Sequence, residues 1–352
     1  MIRKSAIGKP KRILIVCDLA HKPVKMFLSQ QPKLAKGLLR LGHDARLFGY
    51  NSVLRELSTF NSKTLTQLFY KQKADKILVE YVKSYQPNVI YFTFSRFLDV
   101  ETIEQIRKAA ANAVLIGFDD DPWPHLHPEK IEIAKRLDIL LATNNGSFLQ
   151  TYRDAGAPKC AFMPNLCDPD TDRRYVVDDK WKTDVLWTGS IRHDPRRYPA
   201  ENMRFEIIRR LAEMPNCSVY GCCGRPQVGG IDYFYAISGA KVGLNINADN
   251  TVRLYHSDRL TNYLSCGAFV LAKRVPDSDL LFKEDTHLRY FDTIDEFFEL
   301  ADWYLKHENE RKRIADSGMN WVHEQFNCVK IASLILDLVE KGSYSAPWAE
   351  IL

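Results

Sequence analysis

Arg12-Ile-Leu-Ile-Val-Cys17 is a continuous apolar run bounded by charge, with Asp18 closing it. A strand with one wet face alternates apolar and polar residues. A run that is apolar throughout has both faces covered, as in a parallel sheet flanked by helices. Outward from this strand, Leu34, Leu38, Leu39 and Leu41 recur at helical spacing, and Gly42 supplies a stop. Ala45-Arg-Leu-Phe48 reads as a second strand. A long amphipathic stretch (Leu65, Leu68, Phe69, Ile77, Leu78, Tyr81, Val82) leads to Pro87-Asn88 and a third strand, Val89-Ile-Tyr-Phe-Thr93. Further strands are expected at 113–118, 139–142 and 161–163. Strands interleaved with helices of ~10–15 residues argue for a doubly wound parallel sheet.

From Pro164 to Lys182 the pattern lapses into Asp, Pro, Arg and Tyr, which reads as an interdomain linker. Alternation then restarts, with strands at 185–187, 218–220, 242–246, 269–272 and 288–291 and helices at 202–214 and 260–265. From Asp295 onward the chain is mostly helical. The 352 residues suit two domains at a soft prior of ~150 each. The expected fold class is α/β, two Rossmann-like domains facing a cleft. Residues 1–175 form the first domain, 176–328 the second, and 329–352 a closing helical segment. Ligands of such sheets bind beyond the C-terminal ends of the strands.

Composition narrows the function. Hydrophobic residues are 45% and charged residues 26%, a globular rather than a disordered profile. A net charge of +5 is mild. It suits phosphorylated small molecules or an anionic membrane surface, whereas a nucleic-acid binder shows a denser basic face, so nucleic acid is not expected. None of the 8 cysteines forms a Cys-x-x-Cys pair, so neither zinc nor a disulfide framework is indicated. No run approaches the ~20 apolar residues that span a bilayer. The apolar stretch after the basic N-terminus is too short for a signal peptide. A cytoplasmic address is expected, with membrane contact limited to peripheral contact at the inner face.

Three segments can carry chemistry. Ser257-Asp-Arg-Leu-Thr-Asn-Tyr-Leu-Ser-Cys-Gly-Ala-Phe-Val-Leu271 is a polar turn, a short helix and a strand. A helix N-terminus favours anions, Arg259 on the first turn can bind phosphate, and Asn262 can bond a ribose hydroxyl. A capped helix with a solvated arginine weighs equally. The second segment is Trp187-Thr-Gly-Ser-Ile-Arg192, where Gly189 and Ser190 let backbone approach a ligand and Arg192, with Arg196 and Arg197 beyond, can neutralise pyrophosphate. Its bland reading is an arginine-rich surface turn. The glycine-rich run Gly221–Gly230 matches no phosphate-cradle spacing and reads as a connection.

The third segment is Phe118-Asp-Asp-Asp-Pro-Trp-Pro-His-Leu-His127. Asp120 or Asp121 can act as general base, helped by His125, because adjacent carboxylates raise one another's pKa. Against this stand a plain Asp-Pro turn that caps the next helix, and metal binding, for which no further ligand cluster is visible. Asp18 and His21 follow the first strand, where an acceptor or leaving group would lie, although a lone His is more often structural.

Arg259 to Gly267 with Ala268-Phe-Val-Leu271 resembles the C-terminal signature of GT-B glycosyltransferases, nearest the CgeB-like branch, whose pattern runs roughly Arg-x-Phe-Glu-x-x-Ala-Cys-Gly and then a strand. Asp184-Val-Leu-Trp-Thr-Gly-Ser190, Asp277 and the helices of 295–326 follow the same family order. The resemblance covers roughly residues 184–328 and is weak before that. It implies a nucleotide-sugar donor as substrate with no cofactor and no metal, and a glycan, lipid-linked or other glycoconjugate acceptor in polysaccharide or lipopolysaccharide biosynthesis. It also implies a retaining course and a last helix that crosses back onto the N-terminal domain. One departure stands out. Asn262 occupies the place of the donor-binding Glu, and Leu254, eight residues earlier, replaces its carboxylate partner. Two rivals follow, a GT-B-like sugar-nucleotide epimerase and a non-catalytic binding or scaffold protein that lost the Glu pair. On this reading Arg259→Ala weakens nucleotide binding and leaves the fold intact.

Overall fold

The computed structural model describes residues 9–19, 27, 29–93, 98–119, 128–191 and 201–352, without the side chains of 201 and 202. The chain divides into two compact units, one built on Ser29–Met163 with the preceding strand and Cys328–Leu352, the other on Pro164–Asn327.

In the first unit the elements run β1 (Arg12–Cys17), α1 (Gln30–Arg40), β2 (Asp44–Gly49), α2 (Tyr50–Leu57), α3 (Lys63–Tyr85) and β3 (Val89–Thr93). They continue with α4 (Val100–Ala109), β4 (Val114–Asp119), α5 (Pro128–Ala134), β5 (Ile139–Ala142), α6 (Ser147–Asp154) and β6 (Cys160–Phe162). The strands pair in the order β2-β1-β3-β4-β5-β6, parallel throughout. The unbroken apolar strands are covered on both faces, and Leu14, Val16, Ile90, Phe92 and Leu115 form the core with α3 and α4. Strand order reverses between β1 and β3, so the loop opened by Asp18 leaves the sheet at the switch point.

The second unit contains β7 (Thr183–Thr188), α7 (Glu201–Glu213), β8 (Cys217–Tyr220), α8 (Ile231–Ser238) and β9 (Ala240–Asn245). After these come α9 (Asp258–Ser265), β10 (Phe269–Lys273), β11 (Arg289–Phe291), α10 (Ile294–Lys306) and α11 (Glu308–Gln325). Its order is β11-β10-β9-β7-β8, again parallel, with the reversal between β7 and β9. The stretch 164–182, read from the sequence as an interdomain linker, is packed into this unit. The Cys167 N–H donates to the Phe326 carbonyl at 2.9 Å. The Asn165 amide donates to the His256 carbonyl at 2.7 Å, and the Asp168 N–H to the Asp172 carboxylate at 2.8 Å. Acidic side chains that look solvated in sequence are here bound to backbone donors.

The last helix, α12 (Cys328–Lys341), returns to the first unit and lies against α1. Contact is so close at Gly37 that a Cβ there would fall 2.1 Å from the Cys328 carbonyl oxygen. The chain end then pairs with β6. The Leu352 N–H donates to the Cys160 carbonyl at 2.8 Å and the Phe162 N–H to the Glu350 carbonyl at 3.1 Å, which covers the sheet edge. Among the described residues no helix is long and apolar enough to cross a membrane.

Candidate functional site

In the second unit, chemistry concentrates where the sheet order reverses. β7 ends in Thr188, and β9 gives way to a loop at Ile246. Arg259, on the first turn of α9, joins the two. Its guanidinium donates to the Thr188 carbonyl at 3.2 Å and to the Ile246 carbonyl at 2.9 Å. It also stacks on the Trp187 ring, 4.0 Å from the centroid. The side chain is 8% exposed, no carboxylate among the described residues pairs with it, and its Nε has no hydrogen-bond partner. A buried cation of this kind, its charge compensated only by carbonyl dipoles and a π face, attracts an anion. The geometry gives Arg259 a structural role besides, because its loss strips the Thr188 and Ile246 carbonyls of a donor.

The loop after β7 is held from below. Trp187 Nε1 donates to the Gly189 carbonyl at 3.1 Å, and Arg204, from α7, donates to the Ser190 carbonyl at 2.7 Å. Gly189 has φ +139, and a Cβ on it would lie 3.1 Å from Arg259 Nη1, so only glycine fits without strain. Ser190 itself is exposed. Arg204 is a site residue the sequence reading missed. Its guanidinium lies 5.2 Å from the same Trp187 ring. The available signal was an arginine on the first turns of the helix that follows the Gly-Ser loop.

The N-terminus of α9 carries no side-chain cap. Ser257 turns its hydroxyl to the Asn245 side chain at 3.2 Å, and its N–H donates to Asn247 Oδ1 at 3.1 Å. Of the first-turn N–H groups, that of Leu260 is taken up by the Ser257 carbonyl at 3.0 Å, which leaves those of Asp258 and Arg259 for an acceptor. Asn262, one turn on, is buried beside the Tyr233 hydroxyl. Burial, then the neighbouring Tyr263 and Asp258, hold that phenol well above its ordinary range, while Thr188 and Asn262 offset part of the shift. Leu254 is likewise fully buried, with φ +58.

The loop before α9 is tied to the loop after β10 by the Leu254 N–H on the Pro276 carbonyl at 3.1 Å and by an Arg253–Asp277 ion pair at 2.6 Å. There a cavity of about 550 Å³ is lined by Arg274, Asp277, Ser278, Asp279 and Asp292 among others. Arg274 is engaged by Glu284 at 2.6 Å, and the lining carboxylates are ion-paired as well, Asp277 with Arg253, Asp279 with Arg274 and Asp292 with Lys273, which leaves lone pairs for hydroxyl donors. His256 lies inside the same loop, edge-on to Phe282 at 5.5 Å, with Nε2 unpartnered; burial pushes its imidazole down to about 4.

In the first unit Asp18 is exposed at the end of β1. Asp119, which opens the acidic run, is 1% exposed and fully engaged, accepting from Lys130 Nζ at 2.7 Å and from the Tyr152 hydroxyl at 2.8 Å. Both of its oxygens are thus engaged within the unit. Asp120, Asp121, His125, His21 and Arg192 lie outside the described residues. Among the described residues, no group of three His, Cys, Asp or Glu side chains is placed to hold a metal ion.

Residues 196–337 match a family model described as "Glycosyl transferase-like". No curated protein sequence matches the chain. Solved structures share the fold at low identity. HepE of Anabaena, in complex with UDP and glucose, is 11% identical with a TM-score of 0.62 over 94% of this chain and 100% of its own. Sucrose-phosphate synthase of Thermosynechococcus elongatus is 12% identical, with a TM-score of 0.59 over 94% and 98%. A protein of Listeria monocytogenes assigned as a UDP-N-acetylglucosamine 2-epimerase is 11% identical, with a TM-score of 0.54 over 95% and 96%. The fold is thus α/β with two parallel sheets, as in GT-B glycosyltransferases, and the family match supports a glycosyltransferase.

Proposed function

We propose that the protein is a GT-B glycosyltransferase that takes a sugar from a nucleotide-sugar donor, with the donor phosphates held in the second unit at the ends of β7 and β9. The observation that carries this reading is the buried Arg259, a cation with no carboxylate partner among the described residues, at the switch point of a parallel sheet. A departing nucleotide phosphate gathers negative charge. Arg259 and the uncapped first turn of α9 would stabilise it without reorganisation, which is the main catalytic contribution available here. The carboxylate-lined cavity after β10 offers acceptors for sugar hydroxyls.

The binding of UDP and UDP-glucose by the Anabaena neighbour makes uridine donors the first to try. The acceptor reading rests on the sequence alone. Asp120 or Asp121, with His125, would take the proton of an acceptor hydroxyl on a glycan, lipid-linked or other glycoconjugate, and Asp18 and His21, after the first strand, would add contacts to the acceptor or leaving group. The reaction would need no metal or cofactor and would follow a retaining course. Isothermal calorimetry with uridine, guanosine, adenosine and cytidine diphosphates tests the donor site. At least one is expected to bind, and binding by none of them would overturn the proposal.

The likeness to the Listeria protein favours a second reading, a sugar-nucleotide epimerase. Turnover of a donor with no acceptor present selects that reading. Donor turnover that requires an acceptor selects transfer.

A further inference from the structure

The apolar residues of α3 fall into a buried group and an exposed group. Ala74, Leu78, Val79 and Val82 are buried in the core of the first unit. At the start of the helix Leu65, Leu68 and Phe69 face outward, 40%, 72% and 63% exposed. Phe60, 41% exposed, joins them, with its ring 5.5 Å from that of Phe69. A helix at the surface of a water-soluble domain normally confines its apolar residues to one stripe. Four large apolar side chains exposed together mark an interaction surface.

This patch is held in place. The Phe60 N–H donates to Ser58 Oγ at 3.0 Å, Ser58 Oγ pairs with Thr66 Oγ1 at 2.6 Å, and Ser62 caps the helix through the Leu65 N–H. The lead-in segment is thus fixed to the first turns of α3. The charge nearest the patch is mostly positive, with exposed Glu80, paired to Lys83 at 2.7 Å, one turn beyond Lys76. Lys63, Lys73 and Lys76 are exposed, and no carboxylate pairs with any of them among the described residues. Between residues 58 and 79 the only acid is Asp75, which is buried and bound to Lys71 at 2.7 Å. By helical spacing Phe69, Gln72, Lys73 and Lys76 follow one another along the outer face.

We infer that this end of α3, with Phe60, docks the protein on an anionic phospholipid bilayer. The apolar side chains enter the interface between headgroups and acyl chains, and the three lysines engage lipid phosphates. An apolar face alone would fit a protein partner or a second copy equally well. The flanking lysines, free of carboxylates, favour the lipid surface.

The test is co-sedimentation of the full chain with phosphatidylcholine vesicles, alone or mixed with phosphatidylglycerol. Binding is expected with the mixed vesicles and to be at least about ten-fold weaker with phosphatidylcholine alone. Lys73→Glu with Lys76→Glu, and separately Leu68→Ser with Phe69→Ser, are each expected to reduce binding by a similar factor. All four side chains are exposed, so the melting temperature should hold. Nucleotide binding is expected to stay unchanged in the same variants, which separates this outcome from that of the donor site. The inference is overturned by absent binding to mixed vesicles, by variants that bind as the parent does, or by a patch variant that changes the solution mass in light scattering.

Discussion

The Arg259 guanidinium lies 4.0 Å from the centre of the buried Trp187 ring, and the same guanidinium donates to the carbonyls that end β7 and follow β9. One side chain therefore does two jobs. It closes the gap at the strand reversal, and it places a positive charge there. Arg259→Ala removes both, and leaves two carbonyls without a donor at a cost of about 2–4 kcal/mol. Arg259→Lys keeps the charge, but an ammonium cannot match the planar fork that spans both carbonyls. The expected order of melting temperature is parent, Lys variant, Ala variant. Diphosphate affinity should fall at least about ten-fold in the Ala variant. Unchanged affinity in a folded Ala variant would remove Arg259 from the donor site.

Gly189 tests the loop above that arginine. With φ +139, and with Arg259 Nη1 only 3.1 Å from where a methyl group would sit, alanine forces both the backbone and the guanidinium to shift. The expected loss is about 1–3 kcal/mol of stability, with weaker nucleotide binding alongside. Urea melts and calorimetry on Gly189→Ala check both. A variant as stable as the parent would show that the loop relaxes freely and that the close approach constrains nothing.

The parallel sheets were legible because their strands are apolar throughout. Arg12–Cys17 and Val89–Thr93 coincide with β1 and β3 residue for residue, since period-free apolar runs leave little choice of register. Two helices escaped. Tyr50–Leu57 starts directly after β2 with no connecting turn residue to announce it. Ile231–Ser238 is apolar nearly all round and has no amphipathic period to detect. At the site, sequence spacing brought Gly189, Ser190 and Arg259 into consideration. It could not tell that Arg259 turns inward onto Trp187, because the direction of a side chain at a helix start is decided by tertiary contacts. Arg204 was hidden for the same reason, its partner Ser190 lying 14 residues earlier in the chain.

Asp119 separates structure from chemistry in the acidic run. Its carboxylate sits between Lys130 and Tyr152 and is 1% exposed. Asp119→Asn keeps the shape but removes the charge opposite Lys130, and about 2–4 kcal/mol of stability should be lost. Nucleotide affinity in the second unit should not change. Asp120→Asn and Asp121→Asn, by contrast, are expected to lower turnover with little effect on stability. If Asp119→Asn abolishes turnover while melting like the parent, the base belongs at Asp119 after all.

Acid should weaken the second unit through His256. A histidine in an unfolded chain titrates near 6.5, whereas burial holds the folded His256 at about 4. Between those values the unfolded chain binds a proton that the folded chain refuses, so stability falls as pH drops from about 6.5 toward about 4. Full protonation of one such group is worth on the order of 3 kcal/mol. His287, stacked on Trp321 at 4.7 Å and likewise pushed down to about 4 by burial and then by Lys283, adds to the same slope. His256→Leu removes one of the two contributions. Its backbone carbonyl still receives Asn165, the ring Nε2 had no partner to lose, and only the long Nδ1 contact with the Leu254 carbonyl, at 3.4 Å, is given up. The variant is therefore expected to melt near the parent at neutral pH and to lose less stability on acidification. Parallel curves of melting temperature against pH for parent and variant would show that His256 is not held neutral by its surroundings.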